Sequence, residues 1–396
     1  MDKKNIAKLA FRFVFLVGVI NLFADMAYEG ARSINGAFLA SLGASAIVVS
    51  FVSGFGEFLG YILRSIAGFF ADKTHKYWVF AFLGYAINML AIPALALAGN
   101  WPIAATLMVL ERTGRAIRKP SMETMLSYTG KEMGRGWVFG LNEALDQFGA
   151  TFGPLIVALV LFIRGDYKSG YAILLIPAIL CLVVLIVARY VFPTPENLEK
   201  KETTVLATKG FSKSFWLYSL AGAFISLGFA DFALIAFHIH TTANIANQLI
   251  PILYAIAMAV AGVSALILGK LLDRIGFLVT FGAVLISSLA AVFAFSENLS
   301  FIIVGMILLG LSLGAQEALL KAVLPGMVSK EKRGTAFGLF DTVFGIAWFL
   351  GNIIMGFLYT WSISEAIIFS VVAQLLSLPF FLLAIGKNNL RKPINI

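Results

Sequence analysis

Twelve stretches of about 20 or more mostly apolar residues follow one another along the 396-residue chain, each long enough to cross the hydrocarbon core of a bilayer. They cover roughly residues 10–32, 44–70, 77–98, 101–119, 137–163, 171–192, 215–241, 249–271, 278–296, 301–325, 336–359 and 364–385. In lipid, each run must satisfy its own backbone N–H and C=O groups, and for runs of this length that means an α-helix. The expected fold class is an all-α membrane protein with 12 transmembrane helices. Composition agrees: 60% of residues are hydrophobic, 13% are charged, and the mean hydropathy is +0.91. A soluble domain carries about twice that share of charge. Disordered, collagen-like and disulfide-stapled classes are excluded too, since Cys181 has no second cysteine to pair with. The first run starts near Lys8 and passes signal-peptide length without a small-residue cleavage pattern, so it is expected to stay as a helix.

The links are short except at 120–136 and 193–214. The second is polar and Pro-punctuated and divides the runs six and six. The domains expected are a six-helix bundle over 1–192, a cytoplasmic linker over 193–214, a second six-helix bundle over 215–386, and a cytoplasmic tail over 387–396. Of the 30 basic residues, all but Arg32, Arg164 and Lys168 fall on the side that holds both termini. Cytoplasmic loops carry such an excess, so both termini are expected in the cytoplasm, with the chain in the plasma or inner membrane. The net charge of +9 is thereby explained as orientation, and no nucleic-acid partner is expected.

The halves repeat. Phe23-Ala24-Asp25-Met26-Ala27 matches Phe229-Ala230-Asp231-Phe232-Ala233. Gly68 to Lys73 matches Gly269 to Arg274, and Arg135 to Leu141 matches Arg333 to Leu339. Three matches in order, at a nearly constant offset, indicate duplication. Internally repeated helix bundles are a transporter architecture, with the site expected near the membrane midplane.

These residues resemble the major facilitator superfamily. Gly68-Phe-Phe-Ala-Asp72-Lys73-Thr-His75-Lys76 is similar to that family's loop motif between spans two and three, with His75 in place of a glycine. The resemblance implies a cytoplasmic latch made by Gly68, Asp72, Lys73 and Lys76, with Asp273 and Arg274 in the second copy, that biases the outward-open state. Gly140, Gly149, Gly153 and Pro154 resemble the fifth-span signature of the family's antiporters, which normally ends Gly-Gly where this chain has Val157-Ala158. Gly149 and Gly153, four apart, also present one small-residue face to a neighbouring helix. The fourth-span Arg of the family's proton-coupled exporters falls on Leu110, so that role is not carried over.

Ionisable groups inside spans are costly and point to function. The acids are Asp25, Glu29, Glu57, Glu111, Glu143, Asp146, Asp231, Glu317 and Asp341; the bases are Arg32, Arg64, Arg112, Arg115 and Lys321, with Arg118-Lys119 set aside as an end-of-span cluster. Acids outnumber bases, as proton coupling or cation binding requires. Asn21, Asp25, Tyr28, Glu29 and Arg32 form one stripe on the first span. Asp25, Glu29, Glu57, Arg64 and Asp231 are the proton-coupling candidates. Asn21, Tyr28, Arg32, His238 and Trp348 are candidates for contact with substrate. Glu111, Arg112, Arg115, Glu143, Asp146 and Asp341 form an expected inner charge network, which salt bridging between helices would equally explain. Glu29–Arg32 is open to a reading as a helix-end cap. His238 and His240 point about 200° apart on a helix, so no metal site is expected, and no other cofactor.

The function expected is secondary active transport by alternating access, most simply proton-coupled antiport that exports a small organic compound, cationic or amphipathic among the candidates. Uptake by proton- or cation-coupled symport of a metabolite or cation is the alternative, and a non-transporting receptor or scaffold is the alternative of another class. The partners are a small-molecule substrate, protons and the lipid bilayer, and the chain is expected to be monomeric. An enzyme is not expected, because three His and one Cys offer no catalytic cluster. ATP-driven transport lacks its phosphate-binding loop.

Overall fold

A computed structural model describes residues 3–129, 135–194, 211–243, 245–320, 323–324, 327–328 and 333–385. Regular structure among the described residues is entirely helical: α1 (Lys3–Ser41), α2 (Ala46–Thr74), α3 (Tyr77–Ala94), α4 (Trp101–Ser127), α5 (Arg135–Arg164), α6 (Tyr167–Ile173), α7 (Leu175–Val191), α8 (Lys213–Leu227), α9 (Phe232–Thr241), α10 (Leu249–Ile275), α11 (Leu278–Ser288), α12 (Ala290–Ala294), α13 (Leu299–Ala315), α14 (Arg333–Trp361) and α15 (Ile363–Ile385). Ten helical segments among the described residues are long and apolar enough to cross a membrane. This is a multi-pass membrane protein. Of the other two expected runs, α4 carries six charges from Glu111 to Glu123, and 278–294 is a shorter helix interrupted at Leu289.

Local chemistry sets the ends. Asn100 caps α4 by accepting from Ile103 N at 3.0 Å, with Pro102 in the first turn where no N–H is missed. Two links expected from hydropathy are helical instead. α1 runs on to Ser41, and α4 continues through Pro120 to Ser127. Polar residues end an apolar run without ending a helix when neighbouring groups engage them. Glu29 and Arg32, 3.9 Å apart, therefore lie within a helix and not at its end.

Contacts divide the chain into two compact units: residues 1–35 with 59–203, and 36–58 with 204–396. In the first unit α1 and α5 meet backbone to backbone. A Cβ on Gly149 would stand 3.0 Å from Met26 N, and one on Gly153 would stand 2.9 Å from Met26 C and 3.0 Å from Gly30 N. α3 and α4 meet as closely, since a Cβ on Gly84 would lie 2.7 Å from Gly114 O. In the second unit, Gly36, Gly54 and Ser50 pack against Ala233, Asn352 and Gly356.

The seventh expected run is broken between α8 and α9. Ser370 Oγ donates to Gly228 O at 2.6 Å and Gln374 Nε2 donates to it at 3.1 Å, so α15 satisfies the backbone that the break exposes. A side chain on Gly228 would displace α15, since its Cβ would lie 2.6 Å from Ser370 O. The matching residue in the first half is Leu22, and there α1 is unbroken.

The turn after α2 places His75 at φ 54°, and its counterpart after α10, Gly276, has φ 70° and ψ −158°. Both copies thus need the left-handed half of φ space, which explains the family glycine. A side chain there costs roughly 1–2 kcal/mol. His75→Gly is expected to raise thermal stability by about 1 kcal/mol. Gly276→Ala, in a region open essentially to glycine alone, is expected to lose about 1–3 kcal/mol. Thermal unfolding of the purified variants measures both.

Asp166 caps α6, accepting from Ser169 N at 2.8 Å and from Ser169 Oγ at 2.7 Å. The Ser169 backbone bond, then its hydroxyl, holds this carboxyl below its ordinary range. A depressed carboxylate pKa contributes stability above the unfolded value that is lost as pH falls through the folded one. Asp166→Ala is expected to cost about 0.5–1 kcal/mol at neutral pH. Asp166→Asn is expected to keep an acceptor but flatten the acid side of the melting-temperature profile.

Candidate functional site

Helical spacing on three helices of the first unit builds one polar cavity of about 140 Å³. α1 supplies Val17, Asn21 and Asp25, one per turn. α4 supplies Arg115, Arg118, Lys119, Met122, Glu123 and Leu126, and α5 supplies Asn142 and Asp146. The glycine seam between α1 and α5 positions two of these walls.

The wall groups are tied to one another. Arg118 Nη2 stands 3.8 Å from Asp25 Oδ1, and the Arg118 side chain is only 6% exposed. Its guanidinium lies over the Tyr85 ring, 4.4 Å from the centroid. Tyr85 OH donates to Asn21 Oδ1 at 2.8 Å, Asn21 Nδ2 donates to Asn142 Oδ1 at 3.0 Å, and Asn142 Nδ2 donates to Asp146 Oδ2 at 3.3 Å. A continuous polar chain therefore links α3, α1 and α5 beside the ion pair. Tyr28, on the next turn of α1, carries Arg115 and Arg112 at 4.0 and 4.8 Å from its ring centroid. Desolvated contacts of this kind are worth about 2 kcal/mol each. Behind them, Asn88 Nδ2 donates to Glu111 Oε1 at 2.7 Å and to Glu111 O at 3.0 Å, and Arg112 Nε lies 3.6 Å from Glu111 Oε2.

The structure thus gathers Asn21, Asp25, Arg115 and Asp146 around one cavity, with Tyr28, Glu111 and Arg112 behind it. Other expected residues lie apart. Glu57 is half-buried in the second unit, while Arg64 is in the first, stacked on Tyr61 at 5.6 Å. Asp231 is buried as the cap of α9, accepting from Ala233 N at 2.9 Å, whereas Asp25 lies mid-helix. His238 Nδ1 bonds Tyr359 OH at 2.9 Å and its Nε2 faces Ser296 O at 3.4 Å, while His240 Nδ1 bonds Asn247 Oδ1. Trp348 is buried against Phe229 and Phe344. Asp341 is half-buried on α14. At the loop motif, Asp72 accepts from Tyr77 OH at 3.2 Å, Lys73 and Lys76 are exposed, and Gly68 faces Pro120. Arg274 is exposed. The surroundings of Gly140, the side chains of Glu143 and Asp273, and all of Lys321 lie outside what the structure describes.

Arg118, Tyr85, Asn88 and Asn142 were missed in the sequence. Arg118 falls seven residues after Glu111 and three after Arg115, a helical stripe that was legible once α4 was known to continue. Tyr85 and Asn88 sit in an apolar run with no charge to mark them.

Comparison with known proteins fits this architecture. The model of the Major Facilitator Superfamily matches residues 14–291 and 219–394. An uncharacterized protein of Mycobacterium tuberculosis is 36% identical over 376 residues, 93% of this chain and 92% of that protein. An uncharacterized MFS-type transporter of Methanocaldococcus jannaschii is 27% identical over 365 residues, 90% of each. Among solved structures, the peptide transporter POT in complex with sulfate superposes with a TM-score of 0.79 over 99% of this chain and 100% of that one, at 12% identity, a likeness of fold. Taken with its helical architecture and internal repeat, this places the chain in the Major Facilitator Superfamily, as a secondary transporter.

Proposed function

We propose that the chain is a proton-coupled transporter of a small organic compound, working by alternating access of two six-helix halves across the cell membrane, with twelve spans, both termini cytoplasmic and a single chain as the working unit. The observation that carries this reading is the Asp25–Arg118 pair at the cavity wall. Its 3.8 Å separation is an ion pair without a direct hydrogen bond. Protonation of Asp25 removes the charge that holds Arg118, so proton loading and the shape of the cavity change together. Asp231, at the break between α8 and α9, is the corresponding candidate in the second half, with Glu29, Glu57 and Arg64 as further coupling groups.

Export by antiport is the favoured direction, supported by the resemblance of Gly140, Gly149, Gly153 and Pro154 to the fifth-span signature of the family's antiporters. The loop-motif residues Gly68, Asp72, Lys73, Lys76, Asp273 and Arg274 serve as the cytoplasmic latch. The packing of Gly36 and Gly54 on Ala233 and Asn352 is the contact that must part in the opposite state.

Proteoliposomes with an imposed pH gradient and a substrate panel test the proposal. Asp25→Asn is expected to lower gradient-driven accumulation by about tenfold or more, a loss of about 1.4 kcal/mol, while leaving substrate exchange without a gradient. Glu57→Gln, tested in parallel, measures whether that carboxylate shares the coupling. Pumping that is unchanged in Asp25→Asn sinks the coupling assignment. Accumulation driven by an outward-acidic gradient marks symport, and absence of flux under any gradient returns the chain to a receptor or scaffold.

A further inference from the structure

We infer that one face of α10 carries a binding site for an anionic phospholipid, with an acyl chain in an apolar groove and the headgroup phosphate at Lys270 and Arg274. The inference needs only that α10 lies in a bilayer, and is independent of cargo, direction and coupling. The groove, about 330 Å³, is lined on α10 between Ala259 and Leu268 and on α13 by Leu311. It lies against a close helix crossing. A Cβ on Gly310 would stand 2.8 Å from Val260 Cβ, and one on Gly314 would stand 2.8 Å from Ala265 N. Small residues thus fix the spacing of α10 and α13, and Val260 and Ser264 belong to both the seam and the groove. Ser264 is the polar lining residue, and its hydroxyl donates to Ala261 O at 3.1 Å. No lining side chain therefore offers a free donor to a polar cargo, while Val263 and Ile267 are each 59% exposed.

Helical spacing leads from the groove to charge. Val263, Ile267, Lys270 and Arg274 lie within about 40° of Val263 around the axis, on one face of α10. Lys270 and Arg274 are exposed and form no ion pair among the described residues. From Ala259 to Leu268 the groove runs about 14 Å along the axis, and half of the hydrocarbon core is about 15 Å. The groove is thus one leaflet deep. Lys270 follows Ile267 by about 4.5 Å and Arg274 by about 10 Å, and their long stems carry the charges to headgroup level. A second copy of the chain is the competing occupant. A two-fold axis along the membrane normal would set Lys270 and Arg274 of both copies at the same depth, four cations together. A lipid phosphate answers both charges instead, and its acyl chain matches the apolar walls.

The test is lipid retention by the full-length protein in native mass spectrometry from detergent. Palmitoyl-oleoyl phosphatidylglycerol, phosphatidylcholine with the same chains, and glycerol phosphate serve as probes. Phosphatidylglycerol is expected to bind about tenfold or more tightly than phosphatidylcholine, and glycerol phosphate far more weakly than either. Lys270→Gln and Arg274→Gln are each expected to weaken phosphatidylglycerol by about fivefold, the worth of one basic residue near the surface. Phosphatidylcholine is expected to change less, because its choline offsets the phosphate. Ala259→Leu, at an exposed position, fills the groove and is expected to weaken both lipids. The readout is binding, so the latch proposed for Arg274 does not enter it. Equal retention of the two lipids, selectivity unchanged in both charge variants, lipid binding unchanged in Ala259→Leu, or glycerol phosphate bound as tightly as lipid overturns the inference. So does a lipid-free dimer that Ala259→Leu breaks. None of these outcomes bears on the transport reading, which Asp25→Asn tests.

Discussion

A charge buried among packed helices must find an opposite charge, a polar partner or water, and α4 meets that constraint several times over. Glu111, Arg112 and Arg118 are buried on this one helix, and Arg115 is half-buried beside them. They can stay there only if neighbouring helices bring the answering groups to the right depth: Asn88 and Tyr85 from α3, Asp25 and Tyr28 from α1. The packing of the first unit around α4 follows from this need. Moving any of these helices along its axis by one turn, about 5.4 Å, would leave a buried charge unanswered.

Helix association in lipid gains little from the hydrophobic effect, so close van der Waals packing must hold the helices in place. The glycine face of α5 against Met26 and Gly30, and the Gly84–Gly114 crossing of α3 and α4, do this where the polar groups cluster. Backbone contact fixes helix positions more tightly than long side chains could, and the hydrogen-bonded chain from Tyr85 to Asp146 depends on that precision. The same device has the opposite outcome in the second unit. Gly228 lets α15 press on the backbone of the seventh run, and Ser370 and Gln374 bond the carbonyl at the break, whereas α1 runs unbroken through Leu22 in the matching place.

Much of this was legible in the sequence because the bilayer reduces the choices to helix and length. The apolar runs and the small-residue face of α5 needed only hydropathy and helical spacing, the repeat needed three matches at a nearly constant offset, and the loop motif came from the resemblance to the superfamily. What failed was the assumption that a helix ends where hydropathy falls. That rule ended the fourth run at 119 and demoted Arg118 to a margin residue, although it pairs with Asp25 inside the cavity. It also ended the first run at Arg32, though α1 continues to Ser41. Polar partners such as Asn88 and Tyr85 were hidden for a different reason: a neutral residue in an apolar helix gives no signal until the helix beside it is known. The match of Asp25 with Asp231 was visible as sequence, yet one lies mid-helix and the other caps a helix, a difference that no sequence match shows.

A buried carboxylate, Glu111, and a half-buried one, Asp25, on different helices have contrasting surroundings. Asn88 donates to the Glu111 carboxylate at 2.7 Å and to its backbone carbonyl at 3.0 Å, so a short, directed contact holds that charge in place. Asp25 faces Arg118 across 3.8 Å with a cavity beside it. Charge-assisted hydrogen bonds are shorter than this by about 1 Å, and each is strong enough to resist exchange of partners. A group that must release its partner and take it back within each cycle needs the looser geometry, since the tighter one would trap a single state. By that criterion Glu111 suits a structural role, and the proposed coupling role falls to Asp25 with Arg118.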